Sequence, residues 1–182
     1  MSKRALIIID IQNDYFPGGK WALDGADAAA DNAARLLAAA RKRGDLVVHV
    51  RHEFESSDAP FFVPGSAGAQ IHPKVAPTAN EAVVLKHQVN SFRGTDLKAL
   101  LDRHAIEALT LAGSMSHMCI DAATRAAADH GYAVSVAHDA CATLALEFDG
   151  KLVPAADVHA SAMAALAFAY ANVASTDELL AR

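Results

Sequence analysis

Cysteine is scarce in this chain, with only Cys119 and Cys141. Two such thiols make no disulfide framework and no zinc-ligand spacing, so a cytoplasmic protein with reduced thiols is expected. Basic residues are also in deficit: 16 Lys and Arg stand against 21 Asp and Glu, for a formal net charge of −5. That balance offers no basic face for nucleic acid or an anionic membrane. No apolar run approaches the ~20 residues of a membrane span. The charged start Met1–Arg4 before Ala5–Ile9 has the order of a signal segment. Its apolar part is too short, however, and no small-residue cleavage site follows, so it is read as a strand. Aromatic residues amount to only 6% of the chain, which makes those in loops worth locating.

What is abundant is apolar matter, 53% of the 182 residues, enough for a packed core. It falls in bursts that alternate with helical patterns. Strands are expected at Ala5–Ile9, Leu46–Val50, Ala82–Leu85, Leu109–Ala112, Ala133–Ala137 and near Val173. Helices are expected over Asp27–Arg43, stopped by Gly44, and from Thr95 as cap through Leu101. Further helices open at Cys119 or its neighbour and close at Gly131, run from Asp157 as cap to Tyr170, and start again at Ser175 or Thr176. Such alternation predicts one α/β domain over residues 1–182: a three-layer α/β/α arrangement on a mostly parallel, doubly wound sheet of about six strands. One long irregular segment, Arg51 to Asn80, carries Pro60, Pro64, Pro73 and Pro77. A loop of that length is expected to be a lid or a binding loop. The Ala-rich last long helix, with Met163, Leu166 and Phe168, suggests a homo-oligomer, dimer or tetramer.

In open parallel sheets, ligands bind outside the carboxyl ends of the strands. Asp10 follows the first strand, Lys86 ends the third, and the fourth leads through Gly-Ser-Met-Ser-His-Met to Cys119. An acid, a base and a thiol therefore meet at one edge. Individually they read as a turn residue, a solvated strand end and a core filler; together they suit nucleophilic catalysis. A helix N-terminus and a lysine ammonium lower a thiol's pKa. A carboxylate can take the thiol proton and return it to a leaving amine. Phe16, Trp21, Phe54, Phe61 and Phe62 are candidate pocket walls, and Ser116 and His117 candidate substrate contacts. Asn13 and Asp14 are expected to organise the first loop. A nucleotide-binding module lacks its Gly-rich loop here. A redox sensor pairing Cys119 with Cys141 would leave Asp10 and Lys86 without a role.

The blocks "IDIQNDYF", "VVLKHQVNSFRGTDL" and "LAGSMSHMCIDAATRAAADHGY", followed by "DACAT" and "VPAADVHA", resemble the isochorismatase-like superfamily of cysteine hydrolases over nearly the whole chain. The resemblance implies a parallel sheet between helix layers and an Asp–Lys–Cys triad at Asp10, Lys86 and Cys119. It also implies a cis peptide at Ser114–Met115 and an oxyanion hole from the Met115 and Cys119 N–H groups. Nicotinamidases of this superfamily hold a metal through an Asp-x-His motif and a further His. Here Arg51, Glu53 and Phe61 stand at those positions, so no metal and no cofactor is expected. His49, His52, His72 and His87 have no zinc-like spacing. Isochorismatases cleave a vinyl ether without the cysteine. With Cys119 present, the implied reaction is hydrolysis of a C–N bond in a small amide, carbamoyl or ureido compound. A nicotinamidase-like amidase and an ether hydrolase are the alternatives.

Overall fold

The unbroken apolar run Ala5–Ile9 serves both faces of a central strand at once. Leu6 and Ile8 enter one core, and Ala5, Ile7 and Ile9 enter the other. The computed structural model describes residues 3–182, so Met1 and Ser2 of the charged start lie outside the described residues. In chain order the elements are β1 (Arg4–Ile9), α1 (Ala26–Arg43), β2 (Leu46–His52), β3 (Ala82–Lys86), α2 (Leu97–Arg103), β4 (Ala108–Ser114), α3 (Asp121–Asp129), β5 (Ala133–Ala142), β6 (Leu146–Phe148), β7 (Lys151–Val153), α4 (Ala155–Ala169), β8 (Asn172–Ala174) and α5 (Thr176–Leu180).

Six strands form one parallel sheet in the order β3-β2-β1-β4-β5-β8. Residues of α1 pack on one face, joined there by Leu179 and Leu180 of α5, and residues of α2, α3 and α4 pack on the other. The order reverses direction between β1 and β4, which makes their carboxyl ends the natural crevice. Close approach of these two strands needs Gly113. Its φ is +135°, and a Cβ there would lie 1.8 Å from the Ile9 carbonyl oxygen.

Helix α1 buries Ala29, Ala30, Ala33, Leu36, Leu37 and Ala40 along one stripe. It stops at Gly44, whose left-handed φ of 72° lets the last carbonyls be capped. α4 starts at Ala155 behind Pro154, ahead of the expected cap; Asp157 sits in its first turn, where a carboxylate still complements the helix dipole. Asp96 holds the cap position of α2, although the Thr95 hydroxyl accepts from Leu97 N at 3.3 Å. α5 has the full capping box from Ser175 and Glu178.

Two features depart from expectation. β5 continues past Ala137, because a register shift beyond Leu111 lets Gly113 and Ser114 pair with Cys141 and Ala142. The antiparallel hairpin β6–β7 turns at Asp149-Gly150, both with positive φ; that Asp-Gly pair is the sequence signal for it. The irregular segment after β2 has no strand of its own, yet Phe61, Phe62, Ala69 and Val75 are buried. The Gln12 side chain donates to the His52 and Ala69 carbonyls at 2.8 Å each, and the Asp14 carboxylate accepts from Phe62 N at 2.7 Å. The segment is thus pinned over the strand ends, and Asp14 organises the first loop. No helix of the described residues is long and apolar enough to cross a membrane.

Candidate active site

Three strand ends bring the site together. Asp10 leaves β1 with a left-handed φ of 52°, a conformation Asp adopts more readily than most side chains, and its N–H donates to Val50 O at 2.9 Å. Lys86 ends β3, in register with His52 of β2. After β4 the Ser114–Met115 peptide is cis, and a π-turn over Ser116–Ile120 leads into α3. The helical turn therefore opens before Cys119, not at it. The Met115 carbonyl accepts from the N–H groups of Met118 and Ile120.

Lys86 Nζ is the centre of the site. It lies 2.7 Å from Asp10 Oδ2, 2.8 Å from His52 Nδ1 and 3.3 Å from Cys119 Sγ. Asp10 and Lys86 are fully buried and Cys119 is 4% exposed. The Asp10 Oδ2 contact is a close ion pair, and Oδ1 is left without a partner, open as an acceptor. Burial holds the Asp10 carboxyl above its usual range, against the pull of Lys86. Burial works against the Lys86 charge too, but Asp10 and Cys119 outweigh it and hold the ammonium above its ordinary value.

The thiol corrects an expectation. Burial, with the Asp10 charge adding to it, pushes Cys119 up to about 12, and Lys86 recovers only part of that. In the resting site the turn's position and the lysine do not bring the thiol below its ordinary value, because a thiolate here would be desolvated beside a carboxylate.

Asp10, His52 and Cys119 offer ligand atoms within 4.8 Å of one another. The Lys86 ammonium already makes close contact with all three, which sets a positive charge where a metal would sit. The positions a nicotinamidase uses for metal fit no ion either: Arg51 Nη1 and Glu53 Oε1 pair at 2.6 Å, and Phe61 is apolar. His49 pairs with Glu81, His72 stacks on Phe16, and His87 Nδ1 meets the Glu53 carbonyl.

An isochorismatase-domain profile matches residues 4–178. The chain belongs to the isochorismatase family. It is 49% identical over 176 residues to the isochorismatase family protein YddQ of Bacillus subtilis, itself uncharacterised, covering 97% of this chain and 98% of that one. A crystal structure from Oleispira antarctica, provisionally described as an isochorismatase hydrolase, superimposes with a TM-score of 0.96 at 62% identity, covering 100% of this chain and 97% of that one. Maleamate amidohydrolase of Pseudomonas putida is 32% identical over 154 residues, 75% of this chain and 71% of its own length. Streptothricin hydrolase of Streptomyces noursei and nicotinamidase of Escherichia coli are further relatives.

Around this isochorismatase-family centre the aromatic residues divide. Trp21 stacks on Phe61 at 4.8 Å, Phe61 meets Phe54 edge-on at 5.2 Å, and Phe54 lies 4.7 Å from the His52 ring. Tyr15 and Phe62 complete that cluster. A chain of ring contacts thus runs from an exposed Trp21 to His52 beside Lys86. Phe16 stands apart, stacked on His72 at 3.7 Å. Ser116 is fully buried; its hydroxyl donates to the Ala142 carbonyl and meets His159 Nδ1 at 2.8 Å, so it holds the π-turn in place. His117 Nδ1 meets Thr143 Oγ1 at 2.7 Å. Sequence reasoning treated His52 only as one of four scattered histidines. Its place beside Lys86 depends on the β2–β3 register, which no local pattern encodes.

Proposed function

We propose that the protein is a cysteine hydrolase of C–N bonds in small amide, carbamoyl or ureido compounds, working without a metal. The observation that carries this reading is the buried ammonium of Lys86 held between the Asp10 carboxylate and the Cys119 sulfur. The names of the relatives, a maleamate amidohydrolase, a streptothricin hydrolase and a nicotinamidase, support amide chemistry.

In this mechanism Cys119 Sγ attacks the carbonyl carbon while Asp10 takes the thiol proton through an open carboxylate oxygen. A carboxyl held above its usual range is a stronger base for that transfer. A thiol at about 12 keeps its proton until substrate arrives, so transfer accompanies attack. Lys86 offsets the charge as it moves between carboxylate and sulfur. The N–H groups of Met115 and Cys119 receive the oxyanion. The C–N bond then breaks as Asp10 returns the proton to the leaving amine, and a thioester remains on Cys119. Water attacks the thioester, Asp10 takes a water proton, and the expelled sulfur recovers it as the acid leaves. Cys141 is engaged elsewhere, since its buried thiol donates to the Ala137 carbonyl at 3.3 Å. That engagement favours hydrolysis over a redox pair.

The test is acid-quenched mass spectrometry with a panel of small amides and ureides. An acyl adduct on Cys119 that forms and then decays is the expected result, and its mass identifies the acyl half. Turnover near the parent level in Cys119→Ala would end the proposal.

A further inference from the structure

The three hydrogens of the Lys86 ammonium face three partners: Asp10, His52 Nδ1 and Cys119 Sγ. An ammonium only donates, so Nδ1 of His52 is the acceptor. A neutral imidazole that accepts at Nδ1 carries its proton at Nε2. This tautomer is assigned from the donor count. Burial, with Lys86 and His87 nearby, pushes His52 down to about 3, so the ring stays neutral at working pH.

The Nε2 atom is buried and has no hydrogen-bond partner, in a residue 6% exposed. Buried donors without partners are rare in folded proteins, and one on a ring whose other nitrogen touches the site lysine calls for an incoming acceptor. One ring nitrogen of His52 lies within 4.8 Å of Cys119 Sγ, and the ring is flanked by Phe54 at 4.7 Å and Phe62 at 6.1 Å between centroids. Of the basic side chains near it, Lys86 is paired with Asp10 and Arg51 with Glu53, and His87 Nδ1 meets the Glu53 carbonyl. A substrate carboxylate would meet a neutral donor and apolar rings there, beside two cations that already hold carboxylates of their own.

We propose that His52 Nε2–H is a substrate-recognition donor, and that the acyl half of the substrate is uncharged and presents an oxygen acceptor to it. The assignment rests on the cysteine-hydrolase reading above and adds to it the polarity of the substrate. It makes His52 the residue that discriminates a neutral amide or ureide from an amido acid.

The experiment uses the full chain with its imidazoles labelled with ¹⁵N. In the unmodified protein, NMR is expected to show His52 protonated at Nε2. Capping Cys119 with iodoacetamide places an amide oxygen within reach and should move the Nε2–H proton downfield. Capping it with methyl methanethiosulfonate supplies no such acceptor and should not. In parallel, iodoacetamide should alkylate Cys119 faster than the anionic iodoacetate, by about tenfold beyond their ratio on free cysteine. His52→Gln, which keeps an N–H, should retain that preference for the amide, and His52→Leu should lose it. A proton on Nδ1, equal shifts with both caps, or an unchanged preference in His52→Leu would overturn the assignment alone. If Cys119 resists every reagent in the folded parent protein, the nucleophile reading fails and the assignment falls with it.

Discussion

Lys86 Nζ and Asp10 Oδ2 stand 2.7 Å apart with both side chains wholly buried. Bringing two charges into a protein interior is costly, and their attraction offsets that cost only while both are present. Its two halves act on Cys119 in opposite directions, the carboxylate raising the thiol and the ammonium lowering it.

Asp10→Asn removes a charge that raises the thiol while leaving the ammonium that lowers it. Iodoacetamide labelling of Cys119 should begin at lower pH than in the parent, while amide turnover falls by about 10²–10⁴ with the proton acceptor gone. Mass spectrometry across a pH series reads the first effect and a steady-state assay the second. An unshifted labelling profile would uncouple Asp10 from the thiol.

Lys86→Met has the opposite sign at the thiol. Without the ammonium, Cys119 rises above its parental value and Asp10 loses the charge that opposes its own upward shift. Labelling should move to higher pH and turnover should be lost. The unpaired buried carboxylate should cost about 3 kcal/mol in a denaturant titration, less whatever Asp10 recovers by protonation.

Gly113→Ala tests the crevice itself. The new methyl would overlap the Ile9 carbonyl in a backbone conformation with φ +135°. A loss on the order of 3 kcal/mol is expected from overpacking and strain, together with reduced turnover, because β1 and β4 carry Asp10 and the Cys119 turn. A variant as stable as the parent would show that β4 can shift away from β1.

Acid should unfold the protein in two stages. His52 is held down at about 3 from an ordinary 6.5, so the unfolded chain takes up a proton first, and stability falls as pH drops below 6.5. Glu81, bonded to Arg41 and His49, is held at about 2 from 4.5, and the stability it contributes above 4.5 is lost as pH falls toward 2. Glu81→Gln should flatten the lower stage and steepen the upper one, because His49, already pushed down by burial, loses the carboxylate that holds it up. Urea titrations between pH 7 and 3 measure both slopes, and an unchanged lower slope would remove Glu81 from the account.

Much of the site was legible before any fold was known, for a definite reason. Parallel strands point their carboxyl ends the same way, so a residue that closes an apolar burst is already placed at the common edge. That logic located Asp10, Lys86 and Cys119 from three separate stretches. It could not direct Phe16, which lies nearer the end of β1 than Trp21 does but turns to His72. It also left Ser116 open as a substrate contact, whereas its hydroxyl is taken by Ala142 and His159. The strands of the hairpin at Asp149-Gly150 were not among those expected, although its turn dipeptide carries the signal; the extension of β5 carries none, since it depends on a shift in its partner strand.

The order of apolar bursts and helical stretches determined the α/β class, and the identity of three strand-end residues determined which chemistry was available. Local pattern suffices for both, because backbone hydrogen bonding and burial of an apolar stripe are decided within one element. Whether Cys119 rests as thiol or thiolate, and which histidine faces it, was decided only in the folded chain. A thiol's protonation depends on desolvation and on charges a few ångströms away, and His52 reaches Lys86 only through the β2–β3 register. Those are relations between elements, and they exist only once the sheet has formed.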